Sequence, residues 1–217
     1  MGDTMTSPTL VIGDKNYSSW SLRPWLAMRC FDIPFEERLV PLYRPESKAA
    51  LLAASPPGKV PVLIDGDVVI WDSLAILEYL AEGRPELWPR DRKARAQARA
   101  LSAEMHAGFS ALRSACPMNI RRAPKPTPLA EDVKADIARI DAALGGALAA
   151  SGGPFLFGEF CAADAMFAPI ALRFQTYCID ISPATQGWVA AITSLPAMQD
   201  WISAARAEAT VLEKFEK

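Results

Sequence analysis

The sequence predicts a small α/β layer followed by an all-helical region. Short apolar runs alternate with helix-spaced segments over roughly the first 80 residues. Beyond Arg90 strand patterns almost vanish and apolar residues recur at helical spacing. Between the two parts lies Gly83-Arg84-Pro85-Glu86-Leu87-Trp88-Pro89, a linker by composition.

Within the first part, Thr9 to Gly13 is a short apolar strand. Asn16-Tyr17-Ser18-Ser19 supplies turn and cap chemistry, and a helix is expected from Trp20 to Phe31, with Pro24 in its first turn. Ile33-Pro34 turns the chain into a second strand, Phe35 to Val40. Pro45 to Ala54 is a short helix stopped by Ser55-Pro56-Pro57-Gly58. Val62–Ile64 and Val68–Trp71 flank an Asp-Gly-Asp turn and form a hairpin. It leads directly into a helix, Ser73 to Glu82, with Leu74, Leu77 and Tyr79-Leu80 on its apolar side. The order β-α-β-α-β-β-α reads as a βαβ unit, then a hairpin and a helix, around a small mixed sheet.

In the second part, Asp91 to Ala115 carries Leu101, Met105, Phe109 and Leu112 at helical spacing and reads as one long helix. Three prolines between Ala123 and Pro128 break the chain. Leu129 to Ala150 follows, with Val133, Ile137, Ile140 and Leu144 on one face. Ala162 to Phe174 is almost wholly apolar and reads as a buried central helix. Pro183 to Ser194 and Pro196 to Ala209 are helices with proline starts.

The chain has 217 residues, enough for two modest cores, and carries a net charge of −2 from 23 basic and 25 acidic residues. No basic stripe is present to neutralise phosphates, so nucleic acid is not expected as a partner. No apolar run approaches the ~20 residues that span a membrane, and Met1 to Pro8 shows no secretory h-region. Cys30, Cys116, Cys161 and Cys178 are dispersed without metal-ligand spacing. With one histidine, His106, no metal site is expected, and the cysteines read as reduced thiols of a cytoplasmic protein. His106 shows no evident partner and reads as structural.

Three local patterns carry a resemblance. Tyr17-Ser18-Ser19-Trp20-Ser21 stands at the first strand–helix junction, Val60-Pro61 opens the hairpin, and Asp72-Ser73 starts the helix after it. At these spacings the chain resembles the cytosolic glutathione transferases, and its serine motif resembles that of their zeta class. The resemblance implies a thioredoxin-like domain over residues 1–83, which binds glutathione. It also implies an all-helical domain over residues 90–217, which forms a pocket for an electrophile. Trp20 stands where the zeta motif carries cysteine, and Cys161 stands where the family's buried helix begins with Ser or Thr.

Glutathione is then a co-substrate, no metal is used, and the partners are glutathione, a small electrophile and a second copy of the chain in a homodimer. A free thiol titrates near ~8.5, so little thiolate exists at neutral pH. Lowering that by about two units needs roughly 2.7 kcal/mol, the scale of one charge-assisted hydrogen bond plus a helix N-terminus. By resemblance Ser18 donates to the sulfur, with Ser19 as the alternative on the same turn; both also suit a plain N-cap. Val60, before Pro61, offers its backbone to the cysteinyl part, and a proline at a strand start can hold the cis bond that frees it. Asp72 and Ser73 suit the γ-glutamyl end, and Lys59 the glycyl carboxylate. Met105, Phe109, Leu112, Met118, Arg121 and Arg122 are candidates for the second-substrate pocket, the two arginines receiving an anionic group. The activity expected is transfer of the ionised thiol to an electrophile. A glutathione-dependent cis–trans isomerase of maleylacetoacetate type and an inactive glutathione-binding module remain as alternatives.

Overall fold

The computed structural model describes residues 7–216. Residues 1–6, the larger part of the Met1 to Pro8 stretch that shows no secretory h-region, lie outside the described residues, as does residue 217. The elements run β1 (Thr9–Ile12), α1 (Ser19–Cys30), β2 (Glu36–Leu39), α2 (Ser47–Ala54), β3 (Val62–Asp65), β4 (Val68–Ile70) and α3 (Ser73–Gly83). A helical body follows: α4 (Arg92–Ala107), α5 (Ser110–Ala115), α6 (Glu131–Ser151), α7 (Ala162–Thr176), α8 (Pro183–Ser194) and α9 (Pro196–Ala207).

The strands form one mixed sheet in the order β2-β1-β3-β4, with β1 parallel to β2 and antiparallel to β3. Period-two alternation sorts the side chains of β1. Leu10 and Ile12 join Leu22, Leu26, Leu63, Ile76 and Leu77 in the main core, beneath α1 and α3. Val11 faces the other way, into a small cluster with Val40, Leu51, Ala54 and Val62 beneath α2. The layer is therefore helix, sheet, helix, as a thioredoxin-like fold requires.

The structure adjusts several expectations. Two separate cores were expected, but the main cluster runs continuously from β1 and α1 into α4, α6 and α7, and α1 packs directly against α7. The linker is not loose: residues Pro85–Leu87 form a 3-10 turn, and Leu87 and Trp88 are buried. Pro24 lies in the second turn of α1 rather than the first, where it withdraws the N–H that the Trp20 carbonyl would accept. The expected single helix from Asp91 to Ala115 breaks into α4 and α5. Gly108 caps α4, where a Cβ would meet the Glu104 carbonyl oxygen at 2.9 Å, and Phe109 follows in the left-handed region at φ 59°. The apolar spacing survives the break, because Phe109 and Leu112 are both buried.

α7 is buried along nearly its whole length, and its start is held differently from a hydroxyl-capped helix. Asp164, fully buried, accepts from the N–H groups of Leu156 and Cys161, each at 3.0 Å, from the Trp188 indole at 2.9 Å and from the Cys161 thiol at 3.4 Å. The carboxylate thus supplies what a thiol at the cap supplies weakly.

Candidate functional site

The β1–α1 junction is fixed by serine hydroxyls. Ser21 Oγ accepts the Gly13 N–H at 3.1 Å and lies 2.7 Å from Ser18 Oγ, which accepts the Ser21 N–H at 3.4 Å as the N-cap of α1. Ser18 is 5% exposed and lines a cavity of about 520 Å³ with Tyr17, Trp20, Tyr43, Lys59, Val60 and Phe215. Arg44 and Lys48 also line it, and none of its lining residues is acidic. An anion placed there meets three cations and the positive end of α1.

Ser19 is turned away. It does not line that cavity, and its hydroxyl accepts from Arg173 Nη2 of α7 at 3.2 Å. Arg173, 4% exposed, also donates to the Cys116 carbonyl at 2.9 Å. Arg23, 2% exposed, stacks on the Trp20 ring at 4.2 Å. Its Nη1 reaches Ser73 Oγ at 3.5 Å, and its Nε has no partner among the described residues. Burial pushes the Arg23 guanidinium below its usual range, and the neighbouring Arg173 and Arg113 push it further. Burial likewise lowers Arg173. Positive charge is thus concentrated around the first turns of α1, and Asp72 is the acidic group that opposes it at Arg23.

The hairpin delivers the next elements. The Val60-Pro61 peptide is cis, as expected from its place. Val60 precedes the first registered pair of β3, Val62 with Val11, so its backbone stands outside the ladder at the cavity wall. Asp72 is the N-cap of α3, where its Oδ1 accepts from Leu74 N–H at 3.0 Å and Ala75 N–H at 3.3 Å. Ser73 is fully buried. Neither lines the Ser18 cavity; Asp72 meets His106 and Ser73 meets Arg23, and both of those partners touch the Trp20 ring, His106 edge-on at 5.3 Å.

The sequence-based pocket residues separate. Met105, Phe109, Leu112 and Met118 are buried in the main core and do not reach the cavity, because the bend at Phe109 turns that face onto α6 and α7. Arg121 does not stand open to an anionic substrate. It donates to the carbonyls of Glu208 and Thr210 and to the Tyr17 hydroxyl at 3.1 Å, which ties down the segment after α9. Arg122 stacks over Tyr177 at 5.0 Å. His106 is not without a partner: its Nε2 lies 3.0 Å from Asp72 Oδ2.

Sequence reasoning missed the aromatic wall. Tyr17 OH donates to Glu216 and accepts the Leu212 N–H, while Phe215 stacks on Tyr17 at 5.4 Å and meets Tyr43 at 5.7 Å. It also missed the polar anchors beneath the junction, where Glu208 accepts from the N–H groups of Lys15 and Asn16 and Asn16 Nδ2 donates to Asn119 at 3.0 Å. No local pattern marks these partners, which lie about a hundred or more residues away.

A thioredoxin-like layer that presents a hydroxyl at its first helix start, docked on an all-helical body, is the architecture of the glutathione transferases. Residues 17–82 match the family described as glutathione S-transferase, N-terminal domain. That match covers 66 of the 217 residues, and over the rest of the chain the likeness to glutathione transferases is one of fold.

Among curated relatives, the chain is 36% identical over 107 residues to a probable maleylacetoacetate isomerase of Caenorhabditis elegans, covering 48% of this chain and 49% of that one. It is 59% identical over 44 residues to glutathione S-transferase Z1 of Arabidopsis thaliana, covering 19% and 20%. The matches span about half or less of the length of these relatives. Over the whole fold, a theta class glutathione S-transferase of Xanthomonas axonopodis pv. citri, solved with glutathione bound, has a TM-score of 0.66 at 26% identity, covering 91% of this chain and 98% of that one. A bacterial zeta-class maleyl pyruvate isomerase has a TM-score of 0.71 at 24% identity, covering 93% and 100%.

Proposed function

We propose that the protein is a glutathione transferase that ionises the glutathione thiol at Ser18 and directs it at a small electrophile. The observation that carries this is the Ser18 hydroxyl, set at the N-terminus of α1 on the wall of a cavity bearing three cations and no carboxylate. The tripeptide lies along the rim of the layer. Val60 pairs its backbone with the cysteinyl residue, as an edge strand pairs with a peptide. Lys59, with Arg44 and Lys48 beside it, receives the glycyl carboxylate. Ser73, at the start of α3, receives the γ-glutamyl carboxylate, and Asp72 its ammonium.

The thiolate forms because the Ser18 hydroxyl donates to it in a site where the helix dipole and the buried Arg173 and Arg23 favour negative charge. Ser19, engaged by Arg173, holds that arginine against the helix start rather than touching the sulfur. The electrophile sits against Trp20, Tyr43 and Phe215. On this reading residues 1–83 bind glutathione and residues 90–217 complete the electrophile pocket, in a cytoplasmic homodimer.

A second reading is glutathione-dependent cis–trans isomerisation, favoured by the likeness to relatives named for that activity. It shares the glutathione site and differs in consuming no thiol. Conjugation of a generic aryl halide tests the first reading. Ser18→Ala is expected to lose at least about tenfold in rate, the hydroxyl's share of the roughly 2.7 kcal/mol assigned to the hydrogen bond and the helix end together. A variant as active as the parent overturns the mechanism. Turnover of a cis-enone diacid with catalytic glutathione and no loss of thiol replaces it with the second reading.

A further inference from the structure

The Asp72 carboxylate has two duties. Its Oδ1 caps α3, and its Oδ2 lies 3.0 Å from His106 Nε2, which reaches it from α4. Histidine is the side chain whose ordinary titration falls between about pH 5 and 8. The His106 imidazole is 30% exposed, touches the Trp20 ring edge-on, and has a buried Nδ1 without a hydrogen-bond partner among the described residues.

The charged groups around it come from every neighbouring element. Asp72 belongs to the start of α3. Arg23 of α1 stacks on the same Trp20 ring, and Arg113 of α5 packs near that ring at 5.3 Å and donates to the His106 carbonyl at 3.3 Å. Arg173 of α7 and Asp136 of α6 act on those arginines in turn. A proton on the imidazole therefore enters a neighbourhood in which Asp72 is the nearest negative charge.

We propose that His106 is a positioning residue for glutathione, setting the charge that Asp72 presents to the γ-glutamyl ammonium. As a neutral imidazole with its proton on Nε2, it donates to Asp72 Oδ2 and aims a full negative charge at the incoming ammonium. As an imidazolium it neutralises that carboxylate and stands as a like charge beside the ammonium. Glutathione then loses the ammonium contact and keeps those made by its carboxylates and its cysteinyl backbone. The inference rests on the reading of Asp72 and Ser73 as the γ-glutamyl subsite. It predicts that the affinity for the tripeptide falls as pH falls, for a reason unconnected with the thiol.

S-methylglutathione, which has no thiol to ionise, isolates the effect. Its Kd is measured by calorimetry between about pH 5.5 and about pH 7.5 with the parent protein and with His106→Gln, whose amide still donates to Asp72 and never charges. The parent Kd is expected to rise on the order of tenfold toward the acid end. The variant Kd is expected to change by less than about twofold. Equal slopes in the two proteins overturn the role of His106 while leaving the glutathione site standing. Absence of binding by the parent across the range contradicts the glutathione reading itself. Asp72→Asn, which keeps a good helix cap, gives an independent check if the histidine variant does not fold. It is expected to bind weakly with a flat profile, and a profile as steep as the parent's overturns the proposal.

Discussion

Ser18 Oγ and Ser21 Oγ lie 2.7 Å apart on the first turn of α1, and Ser21 Oγ is held in turn by the buried Gly13 N–H. The end of β1 is thereby linked through two hydroxyls to the residue at the cavity wall. When Ser21 donates to Ser18, the Ser18 proton is released toward the cavity.

Ser21→Ala breaks this chain one step behind the site. It leaves the Gly13 N–H buried without an acceptor, which costs about 1–3 kcal/mol. Urea unfolding should show that loss. Conjugation should fall less than in Ser18→Ala, because the Ser18 hydroxyl remains. A fully stable, fully active Ser21→Ala variant would show that the link orients nothing.

Asp164→Ala removes the acceptor of three N–H groups and one thiol at the start of α7. Several buried donors lose their partner together, so a loss of at least about 3 kcal/mol is expected. Burial raises the Asp164 carboxyl above its ordinary value despite these donors. A raised carboxyl means the folded state holds the proton more tightly than the unfolded chain. Its contribution to stability is therefore greatest below the ordinary value near ~3.9 and declines as pH rises through the raised one. The substitution should cost more at pH ~4 than at pH ~7. Unfolding midpoints at both values check the sign.

The four thiols should differ sharply in reactivity. Cys116 and Cys161 are buried, and burial pushes the half-buried Cys30 thiol up to about 12, whereas Cys178 is exposed. An alkylating reagent at mildly alkaline pH should label Cys178 first, and the other three only after unfolding. Peptide mapping reads the order. Labelling of Cys30 as fast as Cys178 contradicts the packing around α1.

Arg121→Ala should free the segment that carries Phe215. Arg121 is bonded to the Glu208 and Thr210 carbonyls and to Tyr17. Loss of about 2 kcal/mol of charge-assisted hydrogen bonding speeds local amide exchange about thirtyfold. Hydrogen exchange over residues 208–216 measures it, and unchanged protection there contradicts the anchoring role.

Much of the α/β layer was legible because its signals are local. Ser18 as a cap, Asp65-Gly66-Asp67 as a tight turn with Gly66 at φ 60°, and Asp72 ahead of an apolar helix are each written within a few residues. The helical half was legible as helices but not as a pocket. Helix-spaced Met105 and Leu112 satisfy the core and a cavity wall equally well by pattern, and the left-handed Phe109 that decides between them has no sequence mark. The ties of Ser19 to Arg173, Asp72 to His106 and Arg121 to the segment after α9 cross 34 to 154 positions of the chain. Only packing of α1 on α7 and of α3 against α4 brings them together.

The account turns on the state of the sulfur. Ultraviolet titration of glutathione bound to the protein reads thiolate absorbance directly as pH is raised. The bound thiol is expected to ionise about two units below its free value of ~8.5 and to move back toward it by about one unit in Ser18→Ala. A bound thiol that titrates at its free value in the parent protein, or one equally shifted in the variant, contradicts the assignment of Ser18.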